Sequence, residues 1–164
     1  MRIGVLICAL IVAVSTTQDA VVKTGAFAEA NRLGEPPGLT FFMFSTSYGQ
    51  YVIRHDGLGE VGTPGKHLQF LLKVGMTGRV ERMYFQEYQG DLLLSFEVGD
   101  IGYVRRMHEQ TRKMRWLTPI DATVVGQCVV EKNELKCGEG DNLTRIDLNT
   151  GSQVKTEKSQ EKCN

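Results

Sequence analysis

Residues 90–116, GDLLLSFEVGDIGYVRRMHEQTRKMRW, decide the fold class. Leu92, Leu94, Phe96 and Val98 alternate with Ser95 and Glu97, broken only at Leu93, and side chains two apart share one face of a strand. The cluster from Gly99 to Gly102 supplies a turn, a second extended run reaches His108, and Glu109-Gln110 reads as the turn into a third. The same period recurs upstream, where Leu68, Phe70, Leu72 and Val74 alternate with Gln69 and Lys73 except at Leu71. Residues 40–45 (TFFMFS) are apolar on both faces, as suits a central strand. Gly-rich turns separate these runs, and no window of ten residues after Gly38 keeps a helical period. Residues 39–151 are therefore expected to form an all-β domain, an antiparallel meander of about ten short, half-buried strands. A small closed β-barrel or a sandwich is the alternative.

Composition supports one globular domain. The chain has 164 residues, 41% apolar and 23% charged, with 19 basic and 19 acidic side chains, which excludes disorder and collagen. A formal net charge of zero gives no general attraction to nucleic acid or anionic membranes.

The N-terminus has the form of a signal peptide over residues 1–15: Arg2, an apolar run from Ile3 to Val14, then Ala13 and Ser15 at the two positions a peptidase inspects. Such a run rises about 18 Å as a helix, short of the roughly 30 Å hydrocarbon core, so no membrane anchor is expected. A secreted or periplasmic location follows, and Cys8 would leave with the leader. Residues 16–38 read as a linker or edge-covering segment with a short helix over 26–33 (AFAEANRL), stopped by Gly34. Residues 152–164 read as a polar, disordered tail.

Export makes a thiol pair a candidate disulfide. In residues 128–137 (CVVEKNELKC), a two-residue turn at Lys132-Asn133 sets Glu131 opposite Glu134, Val130 opposite Leu135, Val129 opposite Lys136, and Cys128 opposite Cys137. Cys128, Val130, Leu135 and Cys137 then share the inner face, and the cysteines form a non-hydrogen-bonded pair with close side chains. The facing glutamates are a minor objection. Cys163 is left over and could link a dimer.

An internal repeat runs through the domain. Residues 51–56 (YVIRHD) return as 103–108 (YVRRMH), and 142–147 (NLTRID) align with 103–108 at an offset of 39 that places Thr150 on Thr111. Residues 90–116 and 134–151 resemble blades of quinoprotein-type (PQQ-like) β-propellers, which run from an apolar strand through a Gly turn to a strand ending near Asp, then Thr-Gly and often Trp. Here Arg112 stands where Gly is expected and Lys155 where Trp is. At most three blade-like units fit, so the resemblance implies a partial array, and it carries over no cofactor residue.

Signatures of chemistry are sparse. Gly57, Gly59 and Gly62 have dinucleotide-loop spacing, but Thr63-Pro64-Gly65 stops the helix that loop needs. His55, His67 and His108 lack metal-ligand spacing, and an enzyme would require them to converge with carboxylates in an unmarked site. No catalytic residue, metal or cofactor is assigned. Charge is concentrated instead: five basic residues and His108 lie between Arg105 and Arg115 with one acid, Glu109. A turn at Glu109-Gln110 would put Val104, Arg106, His108, Thr111, Lys113 and Arg115 on one face, and Trp116 on the other with Tyr103, Met107 and Met114. Arg106, His108, Lys113, Arg115 and nearby Trp116 are thus the candidate surface for an anionic protein or glycan partner. Asn142 heads a glycosylation sequon. The expected function is an exported, non-enzymatic binding module; the alternatives are a small barrel carrying an apolar ligand and an enzyme with an unmarked site.

Overall fold

The computed structural model describes residues 25–34, 39–72 and 78–154. The leader over 1–15, Cys8, Cys163 and residues 155–164 of the tail lie outside the described residues. Over the described residues the fold is all-β, built as three antiparallel sheets, none of which closes into a barrel. Each sheet is a meander in chain order, because Gly-containing turns return every apolar run beside its predecessor. The first contains β3 (Phe41–Ser45), β4 (Gln50–Arg54), β5 (Leu58–Thr63) and β6 (Lys66–Leu71). The second contains β7 (Val80–Tyr88), β8 (Asp91–Val98), β9 (Ile101–His108) and β10 (Met114–Asp121), and the third β11 (Cys128–Glu131), β12 (Glu134–Cys137) and β13 (Thr144–Asp147).

The sheets pack in sequence, with the second in the middle. Phe42, Phe44, Tyr51, Ile53 and Val61 of the first sheet meet Met83, Leu92, Leu94, Phe96 and Met107 of the second in one core. The opposite face of the second sheet, with Leu93, Val104, Trp116 and Ile120, meets Leu135, Ile146 and Leu148 of the third. This layering explains why β8 is buried on both faces, contrary to the half-buried strand its alternation predicts: Leu92, Leu93, Leu94, Ser95 and Phe96 are all inaccessible. The break at Leu93 marks the second apolar neighbour.

Residues 26–33 are not a helix. They run as a strap along the first strand of each sheet: Ala26 bridges Val129 of β11, β1 (Ala28–Glu29) pairs with β7, and β2 (Asn31–Leu33) pairs with β3. Phe27 donates to the Cys128 carbonyl, Val130 to that of Gly25, and Ala30 to that of Met83. An isolated eight-residue helix is marginal in water, whereas three sheet edges offer partners for the same backbone groups, so tertiary pairing overrides local propensity. The edge-covering reading of this segment is the one realised.

The hairpin over 128–137 has the expected register, from Cys128 opposite Cys137 to Glu131 opposite Glu134. Cys128 and Cys137 form a disulfide, both buried against the second sheet. The facing glutamates are neutralised separately, Glu131 by Lys136 and Glu134 by Arg145. The first residues of the tail are ordered by pairing, since Gln153 bridges Ile146 and Val154 donates to the Arg145 carbonyl.

Candidate functional site

The 105–115 segment is divided among three environments. Arg105 is 3% exposed in the core between the first and second sheets, where it donates to the carbonyls of Leu71 and Leu72. Burial pulls its guanidinium down to about 10. Arg106 is buried on the other face, with its Nε 2.5 Å from Asp91 Oδ2, an Nη donating to the Leu148 carbonyl at 2.6 Å, and its guanidinium over the Tyr88 ring. Trp116 stands opposite Arg106, on the same face, and also donates to Leu148 at 2.8 Å.

The expected exposed stripe is thereby corrected. Arg106 and Trp116 do not lie on a solvent surface, and Trp116 is not on the Tyr103 face. A bulge between Met114 and Trp116 adds one residue to β10, which shifts the alternation and turns Trp116 onto the third sheet. The connection is also longer than two residues: His108 N–H donates to Lys113 O at 3.0 Å and Arg112 N–H to His108 O at 2.7 Å, with Arg112 in the left-handed region at φ +57°.

What remains at the surface is a compact basic depression of about 390 Å³, lined by His108, Thr111, Lys113, Met114, Arg115 and Asn149. Three of the five predicted surface residues, His108, Lys113 and Arg115, come together here. Arg115 is 47% exposed, and its Nε lies 2.6 Å from the buried Asp91 Oδ2, which therefore serves two arginines. One carboxylate against two guanidiniums leaves a positive charge uncompensated, and Lys113 adds another. Thr111 N–H donates to His108 Nδ1 at 3.3 Å, so the neutral imidazole carries its proton on Nε2. The other depressions described mix signs: Glu29 with Arg32 beneath the strap, Lys136 with Glu131 and Glu139 beside the disulfide, and Lys132, Lys136 and Arg145 with Glu131 and Glu134 on the third sheet. The turn depression alone among these has basic groups and no carboxylate in its lining.

The wall at Asn149 comes from the equivalent turn of the third sheet, where the 39-residue repeat is realised atom by atom. Asp147 N–H donates to Ser152 O at 2.9 Å, Gly151 N–H to Asp147 O at 2.8 Å, and Gly151 takes φ +73°. Thr150 N–H donates to Asp147 Oδ1 at 2.9 Å, as Thr111 does to His108 Nδ1. Ser152 N–H donates to Thr150 Oγ1 as Lys113 does to Thr111 Oγ1. The copy at 51–56 is different: its tyrosine lies in β4, the second strand of its meander, and Gly57 N–H donates to Arg54 O.

Glu109 and Asp91, which sequence reasoning did not single out, anchor the site. Glu109 is 4% exposed, and its Oε1 accepts from Thr46 Oγ1 at 2.8 Å and Tyr51 OH at 3.2 Å in the first sheet. Burial raises its carboxyl above the ordinary range. The only sequence signal was a lone acid in a basic run. His55 accepts Thr40 N–H at one end of the first sheet, His67 lies in β6 at the other, and His108 is on the second sheet. Asn142 is exposed at the end of a 3-10 turn over Gly140–Asn142. Among the described residues no group of three His, Cys, Asp or Glu side chains could hold a metal. No protein-family model matches the chain, and no curated protein sequence matches it.

Proposed function

We propose that this protein is an exported, disulfide-stapled binding module whose His108–Lys113–Arg115 depression contacts an anionic partner, a sulfated or acidic glycan or an acidic protein surface. The observation that carries the reading is a depression lined by three basic groups and no carboxylate, on a turn whose backbone is closed by its own hydrogen bonds. Lys113 and Arg115 are preformed cations, and the His108 Nε2–H is a further donor, so an anion is attracted without reorganising the turn. The buried Cys128–Cys137 bridge supports an oxidising compartment. Retention on a sulfated-glycan matrix is the direct test: elution at elevated salt is expected, moving to the void on Lys113→Glu. Equal elution of the variant and the parent would remove the depression from the function.

The fold also supports a blade-like array. Three meanders stack in chain order, and one strap edges the first strand of each. The turn after the third strand repeats in the second and third meanders. This reading concerns architecture and assigns no cofactor.

A further inference from the structure

The turn that carries the basic depression has two sides. His108, Thr111 and Lys113 line the depression toward Asn149 of the third sheet, while Glu109 is buried toward the first sheet against Thr46 and Tyr51. An anion bound outside and a carboxylate ionised inside would be like charges on one six-residue turn, residues 108–113. The buried carboxylate has a way to relieve that repulsion, because it can take up a proton.

We propose that anion binding at the depression is coupled to protonation of Glu109. The inference rests on the anion-binding reading of the site and assigns its regulation. The groups facing Glu109 act in opposing directions: the hydroxyls that donate to it favour the ionised form, while burial and neighbouring carboxylates favour proton uptake and prevail. Thr46 and Tyr51 donate hydroxyls from the first sheet, with Tyr48 beside Tyr51. Glu87 of β7 and Asp91 of β8 add negative charge, and both act in the same direction as burial. Arg112 of the same turn is the opposing cation and acts on Tyr51. Glu87 is held in place, since its Oε1 accepts from Ser47 N–H at 2.6 Å and from the Ser47 hydroxyl. By reciprocity, an anion that raises proton affinity at Glu109 must itself bind more tightly when Glu109 is protonated, so affinity falls as pH rises.

Inorganic sulfate is the probe, because it stays dianionic across the range tested and adds no titration of its own. Calorimetry in two buffers of different ionisation enthalpy should show net proton uptake on sulfate binding to the full chain, with affinity falling about 3- to 10-fold between about pH 5 and pH 8. Glu109→Gln keeps an oxygen acceptor for Thr46 and Tyr51, and should bind sulfate with smaller proton uptake than the parent. Carboxyl NMR of the parent gives a second readout that needs no variant: the Glu109 titration should move to higher pH when sulfate is added. Equal proton uptake in the parent and Glu109→Gln, or a Glu109 titration unmoved by bound sulfate, would overturn the coupling while leaving the anion site intact. No binding of sulfate or a sulfated glycan by the parent would overturn both.

Discussion

The two repeated turns share a backbone and differ in what holds it. In the third sheet, Asp147 accepts from Asn149 N–H, Thr150 N–H and the Thr150 hydroxyl, and glycine occupies the left-handed position. That turn is satisfied by its own residues. In the second sheet, His108 offers one nitrogen to Thr111, and Arg112 occupies the left-handed position. Its stability is supplemented from outside, through Glu109 to the first sheet and the Arg115–Asp91 ion pair. A turn that satisfies itself leaves little polar capacity for a ligand. The one held by its surroundings can spare Lys113 and the free edge of His108 for the surface, beside an Arg115 that is half exposed while paired with Asp91, which is why the candidate site lies on one copy.

The most severe way to break the comparison is at Gly151. A β-carbon there would lie 2.5 Å from Trp116 Cγ, in a backbone conformation that L residues avoid. Gly151→Ala should lose about 3 kcal/mol by urea denaturation, combining left-handed strain with overpacking against a ring pinned by its bond to Leu148. Asp147 comes next. Asp147→Ala leaves three donors without their acceptor and should lower the melting temperature by about 3–5 °C. His108→Ala, at the matched position, should move it by less than about 2 °C. Equal losses at the two positions would show that the turns are held alike.

The difference between the turns also marks how far the sequence could be read. The 128–137 hairpin was legible because its partners lie within ten residues, and one turn length fixes every pair. The Thr111–Thr150 correspondence was legible because both threonines cap their own turns. The strap was legible only as an edge-covering segment and not as strands, because the edges that extend it arrive with Phe41, Val80 and Cys128, later in the chain. Nor was the burial of Arg106 and Trp116 legible. Trp116 escaped because one bulged residue at Arg115 changes the parity of everything after it and nothing in the residue types announces a bulge, and Arg106 because the segment that covers its face arrives only with Leu148.

Arg112 sharpens the comparison at smaller magnitude. Relief of left-handed strain favours Arg112→Gly by about 1–2 kcal/mol, and the extra freedom of glycine in the unfolded chain opposes it by about 0.5–1 kcal/mol. The lost bond from Arg112 to the Gln110 carbonyl is exposed and weighs little. A net gain of about 0.5 kcal/mol in chemical denaturation is expected, with no change at Gly151. A loss would mean that Arg112 contributes a contact outweighing its backbone strain.

The smallest effect separates the turns by sign rather than by size. Hydrogen bonds from Thr150 hold the Asp147 carboxyl below its ordinary range, so its contribution is present above the unfolded value and is lost as pH falls through the folded one. Burial holds Glu109 above its ordinary range, so the native state binds more protons than the unfolded chain between the two values. Its contribution is complete below the unfolded value, about 4.3, and is lost as pH rises through the folded one. Glu109→Gln, neutral at every pH and still an acceptor for Thr46 and Tyr51, should therefore gain roughly a few tenths of a kcal/mol at neutral pH relative to the parent, and less at pH 4. Asp147→Asn should behave oppositely, with its loss growing from acid toward neutral pH. Denaturation midpoints of both variants and the parent between pH 4 and 8 test the pair. Parallel pH profiles would mean that both carboxylates are held in the same way, and that Glu109 is an ordinary anchor.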